Sequence, residues 1–89
     1  MAVPPADHEA IFEFEYADRD AARLVSESIA REVEDLADDR SWTTLERTDE
    51  TVQLTILARD LTALRAALNT WLTLVSVAER VGGVDATPV

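Results

Sequence analysis

Residues 60–81, DLTALRAALNTWLTLVSVAERV, form the stretch of this 89-residue chain that decides its fold. When the stretch is placed at 100° per residue, its polar side chains fall on one helical stripe. That stripe comprises Thr62, Arg65, Asn69, Thr73, Ser76 and Arg80. Nearly all remaining positions are apolar, so the predicted helix has about twice the ~100° apolar width that a surface helix needs.

The apolar positions of this helix divide into two neighbouring rows. We expect the first row to pack on a sheet: Leu61, Leu64, Leu68, Leu72 and Val75. The second row would then remain for another protein: Ala63, Ala67, Trp71, Leu74, Ala78 and Val81. Asp60 is a favourable N-cap and Gly82 a favourable residue just past the C-terminal end.

The segments before this helix alternate in strand and helix patterns. Residues 8–16 alternate apolar and acidic side chains, with Ile11 as the exception, which is typical of a half-buried antiparallel strand. Asp18 can cap a helix that runs to about Leu36. Its predicted apolar stripe is Ala22, Val25, Ile29, Val33 and Leu36.

Two further strands are predicted at residues 42–48 and 51–58, with Trp42 and Leu45 as the apolar anchors of the first. Asp49 and Glu50 form the tight turn of a hairpin between them. The order strand, helix, strand, strand, helix predicts an α+β two-layer sandwich. Its three-stranded antiparallel sheet would carry both helices on one face. Residues 1–7 are predicted as a flexible lead, 8–81 as one domain and 82–89 as a flexible tail.

The composition is strongly acidic: the formal net charge is −10, and all eight basic residues are arginine. An acidic chain without lysine indicates adaptation to molar salt, where the Debye length falls to about 3 Å. An ordinary acidic protein with a GC-rich codon bias is the alternative. The negative field opposes unaided binding to nucleic acid or anionic membranes. We find neither a secretion signal nor an apolar run of about 20 residues, and we expect a cytoplasmic protein.

The residues for catalysis are missing from the sequence. The chain has no cysteine, one histidine and two glycines, both at the end of the last helix, so it offers no nucleophilic triad and no phosphate loop. The acidic run at residues 32–39 lacks the turn-forming glycine that a hard-cation site needs. We therefore predict no enzyme activity, no metal and no cofactor.

The polar stripe of the long helix is the one surface with recognition chemistry. Guanidinium groups with an amide and hydroxyls between them can bind phosphates or carboxylates. A solvated helix face is the alternative interpretation. Asn69, a poor helix former in the middle of an Ala- and Leu-rich helix, favours recognition slightly.

One run of residues resembles a helix signature of a known family. It consists of residues 58–61, Ala-Arg-Asp-Leu, followed by Leu64-Arg65 and by Leu68-Asn69-Thr70-Trp71-Leu72. That family is the small dimerising subunit of the KEOPS complex, the Pcc or CTAG/LAGE family. The hairpin at residues 41–56 and the order of all five elements fit it as well. The resemblance covers residues 9–81, and its Leu-Arg-x-x-x-Asn core is short.

The resemblance implies a non-catalytic subunit of the machinery that makes threonylcarbamoyladenosine (t6A) beside the anticodon of tRNA. In that family the small subunit dimerises, and its helices pack on N-terminal helices of the ATP- and metal-binding transferase. The partner in the dimer can be an identical chain or a paralogous small subunit. The family's arginine falls on Arg65, whereas Thr70 and Thr73 replace a serine and a basic residue, which weakens a direct tRNA contact.

Together these observations give two sets of candidate residues. The partner-binding candidates are Leu64, Ala67, Leu68, Trp71, Leu74, Val75 and Ala78. The candidates for a tRNA contact are Arg65, Asn69 and Arg80. An alternative function is a free-standing small RNA-binding domain, which would normally carry a basic surface and a glycine-containing loop; this chain has neither.

Overall fold

A computed structural model describes residues 7–85 of the chain. Its elements are β1 (His8–Glu15), α1 (Arg19–Ala30), the one-turn helix α2 (Glu32–Asp35), β2 (Ser41–Thr48), β3 (Thr51–Ala58) and α3 (Leu61–Gly82). The strands form one antiparallel sheet in the order β1-β3-β2, and the helices pack on one face. The predicted α+β architecture is thus confirmed. Residues 1–6 and 86–89 lie outside the described part, so the flexible lead and tail stay predictions.

The central strand β3 supplies the floor of the hydrophobic core. Its side chains alternate as predicted, and the inward set is fully buried: Val52, Leu54, Ile56 and Ala58. Each inward residue lies between an inward residue of β1 and one of β2; Leu54, for example, pairs with Phe12 and with Leu45. The strict alternation of β3 therefore fixes the register of both neighbours.

The helix N-termini lie where the capping residues predict them. The Asp18 carboxylate accepts a hydrogen bond from the Ala21 amide at 2.8 Å, and the Asp60 carboxylate accepts one from the Ala63 amide at 2.7 Å. The C-termini differ from expectation. The helix predicted to reach Leu36 is interrupted at Arg31, and α3 continues through Gly82, so that the left-handed cap is Gly83 with φ of 68°.

The β2–β3 turn confirms the predicted hairpin. Thr48 pairs with Thr51, which leaves Asp49 and Glu50 as the two turn residues. Asp49 adopts φ of 52°, in the left-handed region that aspartate tolerates better than most residues with a side chain.

The rotation of α3 about its axis differs from the sequence-based expectation. Trp71 is only 2 % exposed and is the largest fully buried side chain among the described residues, whereas Leu61 and Leu72 are 51 % and 38 % exposed. The buried side of α3 therefore lies between the two predicted rows: Ala63, Leu64, Trp71, Val75 and Ala78. The physical reason is that a tryptophan removes more apolar area from water than either leucine, so burial of Trp71 prevails.

The length and mean hydropathy of α3, 1.3 over its most apolar window, would by themselves suit a membrane-crossing helix. The sequence-based statement that no segment approaches such a length is therefore too strong. The core helix of a water-soluble domain passes the same test, and α3 packs its buried side on the chain's own sheet.

The Trp71 orientation predicts a large stability difference between neighbouring positions. Trp71→Ala leaves a cavity in the core and should lower the free energy of unfolding by about 3–5 kcal/mol. Leu72→Ala, at the adjacent exposed position, should cost less than about 1 kcal/mol. Urea unfolding of dilute protein in molar salt, followed by circular dichroism, measures both. Equal losses for the two variants would contradict the orientation.

Candidate interaction surface on the helical layer

Exposed large apolar side chains concentrate on the helices. Among the described residues, only Ile11 of this class lies on the sheet. The others lie on α1 and α3: Leu24, Leu61, Leu72, Val77 and Val81. A scattered exposed leucine or valine is normal, but five on one layer of a small domain make this layer the candidate for contacts with other proteins.

The solvent-facing centre of α3 carries the polar stripe as predicted from the sequence. Thr62, Arg65, Asn69, Thr73, Ser76 and Arg80 are all exposed. The hydroxyl groups of Thr70 and Thr73 donate hydrogen bonds to the carbonyls one turn earlier, Ala66 O at 3.0 Å and Asn69 O at 2.8 Å. These two hydroxyl protons are used inside the helix, so they are not available as donors to a ligand.

One flank of α3 faces strand β1. The Tyr16 hydroxyl, just after β1, donates to Glu79 Oε2 at 2.7 Å, and Tyr16 is almost fully buried. Burial, reinforced by this bond to Glu79, raises the pKa of the Tyr16 phenol far above its usual range, which keeps it a neutral donor. Leu61, Leu68 and Leu72 lie on the same flank as Glu79 at helical spacing.

The apolar inner residues of β1 are less covered than those of β3. Ala10, Phe12 and Phe14 are partly buried, although their partners Ile56, Leu54 and Val52 are completely buried. Because β1 is an edge strand, the core is open toward solvent along the line where β1 meets the Leu68 and Leu72 flank of α3. We refer to β1 together with this flank as the β1 edge.

The opposite flank of α3 borders a groove. The groove has a volume of about 290 Å³. Its walls are Leu36, Asp38, Arg40 and Ser41 on one side and Thr62, Ala63, Ala66, Ala67, Thr70 and Trp71 on the other. The small side chains of α3 leave room for a close approach by another chain, and only an edge of Trp71 reaches the groove.

Ion pairs and backbone hydrogen bonds order the rim of this groove. Arg40 Nη2 lies 2.7 Å from Asp60 Oδ2. The Arg40 and Ser41 amides donate to Asp38 Oδ1 and hold the pKa of that carboxyl below its usual range. The Ala63 amide and the Arg40 guanidinium likewise lower the pKa of Asp60. Both carboxylates thus stay ionised near neutral pH.

Leu24 on α1 lies against the C-terminal end of α3. A Cβ on Gly82 would collide with the Leu24 side chain, so a larger residue there would displace that side chain. Val81 is adjacent in the chain, and Val77 lies one turn earlier on α3. Leu24, Val77 and Val81 are all exposed at this end of the helical layer, and we refer to the three together as the Leu24 strip.

The structure divides the sequence-predicted partner-binding residues into two groups. Leu64, Trp71, Val75 and Ala78 are buried in the chain's own core, which corrects the expectation that the Trp71 row is left for a partner. Ala67, Leu68 and Leu74 are partly buried and stay candidates. The sequence did not single out Leu24 or Val77, because Leu24 lies off the predicted apolar stripe of its helix and Val77 belongs to neither row of α3.

Within residues 7–85, no three His, Cys, Asp or Glu side chains converge in a way that could hold a metal ion. The carboxylates of the outer sheet face border an open depression of about 580 Å³: Glu13, Glu15, Glu46, Asp49 and Glu50. They are spread over the surface rather than converged. The absence of a catalytic centre, a cofactor and a metal stays a prediction.

Comparison with known proteins places these surfaces in a family context. The sequence model of one family, described as transcription factor Pcc1, matches residues 9–82, from β1 to the last residue of α3. No curated protein matched the chain. Because the match spans every strand and helix of the domain, the chain belongs to the Pcc1 family, whose members are accessory subunits associated with KEOPS.

Proposed function

We propose that this chain is a non-catalytic dimerisation and scaffold subunit of the KEOPS complex, acting in the cytoplasm in t6A modification of tRNA. The family match over residues 9–82 carries the proposal. The physical support is that the helical layer exposes apolar side chains suited to protein contacts.

The threonylcarbamoyl transferase subunit is the partner proposed for the helical layer. Helices pack through ridges of side chains, and the Leu24 strip supplies such a ridge with Val77 45 % and Val81 84 % exposed. Ala67 and Leu74 extend the apolar surface on the neighbouring side of α3. Burying this surface under helices of the transferase would stabilise the complex by roughly 25 cal/mol for each Å² of apolar area removed from water.

The scaffold proposal predicts that a charge in the Leu24 strip weakens transferase binding. Val77→Asp should raise the dissociation constant at least about tenfold, because it buries an unpaired carboxylate in an apolar contact. Thr44→Asp on the exposed face of β2 makes the same change of charge on the opposite layer and serves as the control. Isothermal titration of the purified subunits in molar salt measures both. Equal affinities for the two variants would refute this placement, and no binding by the unmodified chain would refute the scaffold role.

The second proposed partner is another small subunit, either an identical chain or a paralogue, bound at the β1 edge. An antiparallel strand added to β1 would satisfy its outward-facing backbone groups. The same addition would cover Phe12, Phe14 and the adjoining Leu68 and Leu72. The β2 edge has fewer apolar side chains on its inner face, since Leu45 is flanked there by Thr43 and the exposed Arg47.

Cross-linking can distinguish the two sheet edges, because the chain has no cysteine of its own. Ile11 on β1 and Thr44 on β2 both pair with Thr55 of β3, so they occupy one row on the same sheet face. Ile11→Cys should give a covalent dimer with a short bis-maleimide in molar salt, whereas Thr44→Cys should not. Denaturing gel electrophoresis separates the products, and the reverse result would move the dimer contact to β2.

We also propose that Arg65, Asn69 and Arg80 provide a weak or indirect tRNA contact within the assembled complex. All three are exposed, and Arg65 and Arg80 lie about 22 Å apart along the helix at 1.5 Å per residue. Two arginines in a chain of net charge −10 do not make an independent nucleic-acid surface. No observation on this domain therefore favours a free-standing RNA-binding function.

A further inference from the structure

Strand β1 presents a row of carboxylates on the exposed face of the sheet. Glu9, Glu13 and Glu15 are all exposed and alternate with the inward apolar residues. Their partners across the sheet are the uncharged Leu57, Gln53 and Thr51. The ion pairs formed by the described residues lie elsewhere, so no arginine neutralises this row within the chain.

The row has a direct consequence when β1 pairs with the β1 strand of a second copy. In an antiparallel pair related by a two-fold axis, opposite residues lie on the same face and are about 4.5–5.5 Å apart at Cβ. A pair centred on Phe12 places Glu9 opposite the second copy's Glu15, twice by symmetry. Centring on Ile11 places Glu9 opposite Glu13, also twice, and centring on Glu13 places that residue opposite itself. Each of these registers brings glutamates face to face.

The inner face of the same strand pair is attractive. With Phe12 at the centre, Phe12 faces Phe12 of the second copy, and Ala10 faces Phe14 of the second copy. A large side chain thus meets a small one on either side of an aromatic pair. Leu68 and Leu72 of the two α3 helices would adjoin this contact. Apolar attraction and carboxylate repulsion thus lie on opposite faces of one strand.

We propose that the β1 edge is a salt-gated contact for a second copy of this chain, which the glutamate row holds apart at low ionic strength and which closes at molar salt. The inference rests on the dimer of the proposed function and adds its regulation. At 0.1 M salt the opposed carboxylates lie within the Debye length of about 10 Å, so they repel each other. At 1 M salt the Debye length is about 3 Å, which is shorter than the distance between them. Salt therefore removes the repulsion and leaves the apolar attraction.

The choice of a second copy follows from this self-complementary inner face. Salt weakens interfaces that oppositely charged residues hold together, so a basic partner strand at β1 would show the opposite dependence. The β2 edge would show little dependence, because its exposed face carries Trp42, Thr44 and Thr48 beside a single glutamate, Glu46.

The test compares self-association of three forms of the full chain across a series of NaCl concentrations at pH 7, by sedimentation equilibrium. The first is the unmodified chain, and the second carries Glu9→Gln, Glu13→Gln and Glu15→Gln. The third carries Glu27→Gln, Glu34→Gln and Glu46→Gln, which changes the net charge equally at exposed positions away from β1. Circular dichroism restricts the comparison to salt concentrations at which all three are folded.

We expect salt to tighten the dimer of the unmodified chain and of the Glu27, Glu34, Glu46 control. The β1 variant should dimerise about tenfold more tightly than the control at the lowest salt, because directly opposed like charges are destabilising and this variant removes them. Its affinity should then vary little with salt. Identical curves for the two variants would overturn the gate, because net charge or general salting-out would then explain the effect.

Other outcomes separate the gate from the proposed function. A dimer that forms equally at all salt concentrations, or one that salt weakens, would overturn the gate and leave the scaffold role intact. A chain that stays monomeric at every salt concentration but pairs with a paralogous small subunit would overturn the second copy as occupant. Failure to bind the transferase is measured independently and would count against the proposed function alone.

Discussion

The burial of Trp71 between α3 and the sheet is the packing interaction on which the rest of the structure depends. The indole is the largest fully buried side chain of a core to which β3 and α1 contribute smaller ones, such as Val25, Ile29 and Leu54. A domain of this size buries only about 60 % of its unfolded surface, so one large side chain has a disproportionate effect on its stability. Once Trp71 is inside, the helical geometry fixes which side chains of α3 face outward.

That rotation separates the surfaces of the molecule. The polar stripe faces solvent at the centre of α3, Leu68 and Leu72 turn toward β1, and Val77 turns toward α1 with Leu24. The Asp60 cap and the bond from Tyr16 to Glu79 hold the two ends of α3 in this position. The two partners that we propose, one at the β1 edge and one at the Leu24 strip, would therefore occupy opposite flanks and would not compete for the same residues. Such an arrangement suits a subunit that connects larger proteins.

Much of this fold could be predicted from local patterns. The alternation of residues 51–58, the Asp18 and Asp60 caps and the Asp49–Glu50 turn are local signals, and the structure confirms each of them. The rotation of α3 could not be predicted in the same way, because both sides of the helix are apolar and either can meet a sheet. The choice depends on the volume that β1, β3 and α1 leave open together. For the same reason, the sequence-based expectation left Trp71 for a partner, whereas the structure buries Trp71 and exposes Leu72 and Val77.

The central claim is that Trp71 belongs to the core of the single chain and not to a partner contact. Trp42 is the other tryptophan of the sequence, so Trp42→Phe leaves Trp71 as the sole indole. Fluorescence of this variant, recorded for dilute protein before and after addition of the transferase, reports the environment of Trp71 directly. The account predicts blue-shifted emission, shielded from iodide quenching, in the free chain and no change on binding. Red-shifted, quenchable emission that becomes blue-shifted when the transferase is added would contradict it.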